Sequence, residues 1–175
     1  MKKQLCLTAD IGGTNTRVAL FDNEKLLESS CMTYSNNEYD SFETVIENYF
    51  DLVNERSVKF AGIAAAGPIQ EKSAKMTNLS WSLTERSIAS ITGAEQVGII
   101  NDLQAQGYGL TSLDKADLEP ITVGSERANS NATRLVCGIG TGFNAAPVFN
   151  VGHKIFVPPS EAGHSQLSLT DKSYQ

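Results

Sequence analysis

Residues 5 to 22 read LCLTADIGGTNTRVALFD, a glycine pair and a run of small polar residues set between two apolar stretches. Leu5, Leu7 and Ala9 alternate with more polar neighbours, and Val18 to Phe21 is short, apolar and suited to β-structure. That pattern predicts two strands joined tightly rather than a strand feeding a helix. The loop between them is then hairpin-like. Gly12 and Gly13 can take positive φ and let the backbone approach a ligand, while Thr14, Asn15 and Thr16 add hydroxyl and amide groups around successive main-chain N–H donors. Such a loop suits a phosphate. Asp10, at the end of the first strand, could hold a hydrated magnesium ion, which takes only one or two protein carboxylates beside the phosphates. An ordinary glycine hairpin with an exposed Asp fits the same residues, so the stretch alone leaves both readings open.

The chain has 175 residues, enough for one domain of ordinary size or one domain and part of another. With 41% hydrophobic and 19% charged residues it is globular in composition. The formal charge is −6 and no block of Lys or Arg forms a patch, which disfavours nucleic acid and anionic membrane surfaces as partners and favours small ligands. Cys6, Cys31 and Cys137 are dispersed and odd in number, without zinc-site spacing or disulfide density. The apolar run at the N-terminus is short and broken by Thr8 and Asp10, so neither a signal peptide nor a membrane span is expected, and a reducing cytoplasm fits. The sequons at Asn78 and Asn131 are then chance matches.

Farther along, the apolar run from Lys25 to Tyr34 predicts a third strand of an antiparallel meander. Phe42, Val45, Ile46, Tyr49, Phe50 and Val53 recur at helical spacing, and Asp40 with Glu43 has the spacing of a capping box, so a helix is expected over 41–54. Val58 to Ala66 is a continuous apolar strand closed by Gly67-Pro68, and a helix crossing back to it makes the sheet mixed. Ser82 and Glu85 suggest a second capping box ahead of a helix over 84–92, ended by Gly93. Val97 to Ile100 is another strand that runs into Asn101-Asp102, with a short helix over 103–110 beyond. In open α/β sheets ligands gather outside the carboxyl ends of strands, where this pair would present an amide and a carboxylate; capping of the following helix accounts for the same residues. From Thr111 to Asn131 the composition turns polar, which puts a division between a small N-terminal α/β domain, 1–110, and the start of a second, 111–175. There, strands over 133–139, 143–150 and 154–157 surround the turn Gly140-Thr141-Gly142, so a strand, a Gly and Thr turn and a returning strand occur near both ends of the chain. Two such hairpins can clamp a polyphosphate with backbone N–H groups.

DIGGTNTR, MTNLSW, IINDLQA, GIGTG and PPSEAGH, in this order and at these separations, resemble the bacterial glucokinase family. The resemblance runs from Asp10 to His164. It implies an α/β fold of the actin, hexokinase and Hsp70 ATPase superfamily, ribonuclease H-like, with a mixed β-sheet and flanking helices followed by the first strands of a second similar domain. It further implies an ATP-dependent hexose kinase acting on the 6-hydroxyl of glucose, with ATP and Mg2+. A homodimer is expected on separate grounds, because a second domain that starts near Thr111 and is cut at Gln175 would expose a strand edge and an apolar face. On the resemblance, Asp10, Gly12, Gly13, Thr14 and Asn15 belong to the first phosphate loop and Gly140, Thr141 and Gly142 to the second. Asn101 and Asp102 are similar to the sugar-binding pair, with Asp102 as general base, and Glu161 and His164 match residues that hold further sugar hydroxyls. A metal site at Glu161 and His164 is disfavoured by ligand supply, since His153 is the only other histidine.

Two departures stand out. GTGFN replaces the family's GTGLG, so Asn144 follows the second turn where a glycine is usual, and Ala162 replaces a glycine in the EAGH motif. Members of the family continue for roughly as many residues again beyond the sugar motif. The chain is therefore expected to be the N-terminal half of a sugar kinase, weak or inactive by itself. The alternative is a non-catalytic sugar-binding or regulatory module derived from one. A repressor-type reading is disfavoured because no helix-turn-helix pattern precedes Asp10 and no basic stripe is present.

Overall fold

In the computed structural model, which describes residues 4–76, 79–121, 132–139 and 143–160, Leu5, Leu7, Ala9 and Ile11 of β1 (Leu5–Ile11) are buried while Cys6, Thr8 and Asp10 are not. One face of the strand therefore enters the core. β2 (Asn15–Asp22) returns antiparallel with Thr16 opposite Ile11, the tight hairpin expected from the alternation. The apolar run that follows is not one strand. It divides into β3 (Lys25–Leu26) and β4 (Met32–Ser35), both paired with β2, around a 3-10 turn at Glu28–Ser30. The buried Ser30 causes the break: its Oγ accepts the Leu20 N–H at 2.9 Å and donates to the Leu27 carbonyl at 2.5 Å, using a β2 donor that a continuous partner strand would have bonded.

α1 (Phe42–Val53) buries Phe42, Val45, Ile46, Tyr49 and Phe50, the set picked out by helical spacing. Its cap differs from expectation: Ser41 and Thr44 form the capping box, because burial of Phe42 starts the helix later than an Asp40 cap allows. β5 (Phe60–Ala65) runs parallel to β1. A small antiparallel sheet of β6 (Ile69–Gln70), β7 (Ser73–Lys75) and β8 (Ser82–Thr84) leads into α2 (Glu85–Thr92). Ser82 is held in the ladder opposite Lys75, so the capping role passes to Thr84, with Ser87 completing the box in place of the expected Ser82 and Glu85. Gly93 ends α2 in the left-handed region at φ 66°, as the sequence predicts.

β9 (Gln96–Asn101) lies parallel to β5, completing a mixed sheet of order β3-β2-β1-β5-β9. Phe42, Ile46 and Tyr49 of α1 and Ile88 of α2 join Leu7, Leu20 and Ile63 in its core. Each such fully buried side chain contributes about 1.5–3 kcal/mol relative to exposure. The other face of the sheet is open at its centre, where a Cβ added at Gly62 or Gly98 would meet nothing within 4 Å.

Packing divides the chain into Met1–Asp102 and Leu103–Gln175, whereas the compositional break falls after residue 110. The difference is α3 (Asp102–Gly109): Leu103 packs with Val136, Ala146, Val148 and Val157, and Gln104 Nε2 donates to the Val157 carbonyl at 2.9 Å. These contacts draw the helix into the second unit. There β10 (Arg134–Ile139), β11 (Phe143–Val151) and β12 (Lys154–Phe156) form an antiparallel sheet. Gly107 belongs to this packing, since a Cβ there would stand 2.8 Å from Val157 Cγ1.

Candidate functional site

The loop between β1 and β2 is closed by the Gly12 N–H, which donates to the Asn15 carbonyl at 2.9 Å and leaves Gly13 and Thr14 at the tip. Gly13, Thr14 and Asn15 are exposed. Gly12 does not use the left-handed region that glycine permits; its requirement is space, because a Cβ would lie 3.3 Å from the Asn15 carbonyl oxygen. Thr16 also departs from the sequence reading. It is fully buried and its hydroxyl donates to Asn36 Oδ1 at 2.7 Å, so it serves the interior rather than a ligand. Asn36, which sequence reasoning missed, also donates from Nδ2 to the Gly12 carbonyl at 2.9 Å and from its main chain to the Thr14 carbonyl at 2.8 Å. Its only trace in the sequence is the polar run Ser35-Asn36-Asn37 after an apolar one.

Asp10, Asn101 and Asp102 come together through strand register. Ile11 pairs with Ala65 and Ala65 with Asn101, so the carboxyl ends of three parallel strands are level. With β5 between them, the ends of β1 and β9 are about 10 Å apart. Asp10 sits on the open face of β1, half-exposed, with its Oδ2 3.7 Å from Arg17 Nη1 across the hairpin. Burial raises its pKa above the ordinary carboxylate value; the Arg17 charge opposes the rise and the Asp102 charge adds to it. Asp102 is half-buried at the first residue of α3. Asn101 is buried at the last position of β9, where its Nδ2 donates to the Gly67 carbonyl at 3.5 Å and helps hold the segment leaving β5. The arrangement gathers two carboxylates and an amide beside a loop rich in backbone donors.

Gly140, Thr141, Gly142, Glu161 and His164 lie outside the described residues. Among the described residues no three His, Cys, Asp or Glu side chains are grouped to hold a metal ion, and no helix is long and apolar enough to cross a membrane.

The family pattern described as Glucokinase matches residues 7–174. The chain belongs to the glucokinase family. A glucokinase of Nostoc punctiforme is 31% identical over 167 residues, which are 94% of this chain and 48% of that protein. A glucokinase of Psychromonas ingrahamii is 33% identical over 166 residues, covering 95% of this chain and 51% of the relative. The crystal structure of a glucokinase from an Antarctic psychrotroph superimposes with a TM-score of 0.80 at 29% identity, covering 98% of this chain and 54% of that one. The fold is thus that of glucokinase, a mixed α/β architecture. The chain spans about half the length of the curated glucokinases it matches.

Proposed function

We propose that this glucokinase-family chain serves phosphoryl transfer from ATP to the 6-hydroxyl of glucose, with Asp102 as general base. The observation that carries the reading is the register that levels Asp10 with the Asn101-Asp102 pair at the carboxyl ends of β1 and β9. Ligands of open α/β sheets bind in that position. A primary alcohol is a poor nucleophile until its proton has an acceptor, and a carboxylate at hydrogen-bond range supplies one. The hydroxyl oxygen then attacks the γ-phosphorus, the bond to the bridging oxygen of the leaving diphosphate breaks, and the proton goes to Asp102.

Asn101 orients the sugar together with Glu161 and His164, whose roles rest on the family motif. Gly12, Gly13, Thr14 and Asn15 present backbone donors to the phosphates, and Gly140, Thr141 and Gly142 do the same from the second turn. Asp10 fits a hydrated magnesium ion: a single half-exposed carboxylate beside a phosphate loop is the donor set that such an ion takes. Magnesium held there would offset the charge of the phosphate oxygens. Small soluble ligands agree with a cytoplasmic setting. A homodimer is part of the proposal, supported by Leu135, Ile139, Phe143, Phe149 and Phe156 of the second unit, all exposed. Sedimentation at micromolar concentration checks it, and a strictly monomeric chain would remove it.

Calorimetric titration with glucose and separately with Mg-ATP, alongside Asp102→Ala, tests the reading. Glucose heat that disappears in the variant supports it. Equal binding by both proteins, or by neither, overturns the assignment of Asp102. Binding of glucose without Mg-ATP would favour the non-catalytic sugar-binding module.

A further inference from the structure

We propose that Asn36 is the positioning residue of the first phosphate loop, an inference that rests on the phosphate-loop reading above. Asn36 is 2% exposed and stands at the end of β4, outside the loop it holds. All of its polar groups are engaged. Nδ2 donates to the Gly12 carbonyl at 2.9 Å, Oδ1 accepts the Thr16 hydroxyl at 2.7 Å, the main-chain N–H donates to the Thr14 carbonyl at 2.8 Å and its carbonyl accepts the Tyr39 N–H at 3.3 Å. The amide orientation follows from chemistry, because a carbonyl oxygen cannot donate and only Nδ2 can face Gly12.

The consequence for the loop comes from the planar trans peptide, in which C=O and the following N–H point in opposite directions. With the Gly12 carbonyl drawn inward to Asn36, the Gly13 N–H is turned outward. With the Thr14 carbonyl also drawn to Asn36, the Asn15 N–H is turned away from β4. Asn36 thus takes up the carbonyls that would repel a phosphate and leaves the donors to face it. In a regular two-residue hairpin the Gly12 carbonyl would be an acceptor within the loop itself. Here a residue far along the chain has claimed it. Thr16, buried beneath, fixes the other end of the same amide.

Asn36→Asp is the informative change. It keeps an oxygen for Thr16, removes the donor to Gly12 and sets an acceptor against that carbonyl. Ser30→Ala is the control, a buried polar residue of the same β2 neighbourhood that bonds Leu20 and Leu27 and does not touch the loop. Backbone NMR of the full chain with Mg-ATP as the probe reads both binding and site. The expected result is that Mg-ATP shifts the Gly13 and Asn15 amides in the wild type, and that Asn36→Asp binds about tenfold more weakly or worse while its glucose affinity is unchanged. Without ligand, Gly13 to Asn15 should exchange with solvent faster in Asn36→Asp while Leu7 and Leu20 keep their protection. Ser30→Ala should unfold at lower temperature yet bind Mg-ATP as the wild type does.

Equal Mg-ATP affinity of Asn36→Asp and wild type overturns the positioning role alone. A loss of affinity in Ser30→Ala matching that in Asn36→Asp also overturns it, since general destabilisation would then explain both. If Mg-ATP moves neither amide in the wild type, the phosphate-loop reading fails and the proposal with it. The ligand-free exchange rates then still report whether Asn36 holds the loop.

Discussion

Burial raises the pKa of Asp10, and the Asp102 charge adds to that rise across the width of β5: the two carboxylates stand at the carboxyl ends of β1 and β9. Asp102→Asn removes that charge and should lower the Asp10 pKa. Arg17→Ala should move it the other way, because the Arg17 guanidinium 3.7 Å from Asp10 favours the ionised form. Carboxyl carbon chemical shifts followed through acid pH measure both. An Asp10 titration unmoved by Asp102→Asn would mean that the strand ends are farther apart than their register implies.

The same shift sets a sign for stability. A carboxyl whose folded pKa is raised above its ordinary value of 3.8 holds its proton longer in the folded state, so ionisation favours unfolding. No penalty exists below the unfolded pKa; it grows as pH rises through the window up to the folded pKa and is complete above it. Asp10→Asn should therefore melt at a higher temperature than the wild type at neutral pH, with the two curves converging as pH falls below about 4. The lost ion pair with Arg17 opposes this only slightly, since both side chains are largely exposed. A variant less stable at neutral pH would show that the ion pair outweighs burial.

At the alkaline end Tyr34 dominates. Burial pushes its hydroxyl up to about 12 from 10.0, with Tyr39 and Tyr49 adding to the effect. The unfolded chain releases this proton near 10 and the folded chain holds it to about 12, so stability present below the lower value is lost as pH rises between them. Tyr34→Phe should remove most of that loss, at the expense of one hydroxyl contact to Met32 Sδ at 3.3 Å. Urea unfolding at about pH 8 and about pH 11.5 tests it, and parallel curves for the two proteins would count against burial as the cause.

How far the sequence could be read depended on whether a signal was periodic or relational. Alternation in Leu5 to Ile11 and helical spacing from Phe42 to Val53 located strand, helix and core, because burial of one face repeats along a local segment. The level ends of β1 and β9 followed once both strands were parallel to β5. The family's motifs named the loop residues, but what the loop does with them was hidden. Thr16 counted as a ligand donor until its burial against Asn36 was visible, and Asn36 itself lies 20 positions from Thr16 with no spacing rule linking them. Caps failed for a related reason: several hydroxyl and acidic residues precede each helix, and only packing chooses among them. Gly107, a poor helix former by propensity alone, serves α3 as a contact surface.

That contact is a competition between two known effects. In an open helix Gly107→Ala would gain about 1 kcal/mol from propensity. In α3 the new Cβ would lie 2.8 Å from Val157 Cγ1, 3.0 Å from Cγ2 and 3.2 Å from Val148 Cγ2. Valine is branched at Cβ and has few rotamers into which it can withdraw. Overpacking of this kind costs about 1–3 kcal/mol, enough to exceed the propensity gain. Gly107→Ala should therefore destabilise the second unit, and Val157→Ala made with it should recover part of the loss by opening the space. The diagnostic is the coupling between the two changes in a double-mutant cycle of denaturant unfolding, which is favourable if the methyl groups collide. A more stable Gly107→Ala, with no coupling to position 157, would place α3 farther from β12 than the structure has it.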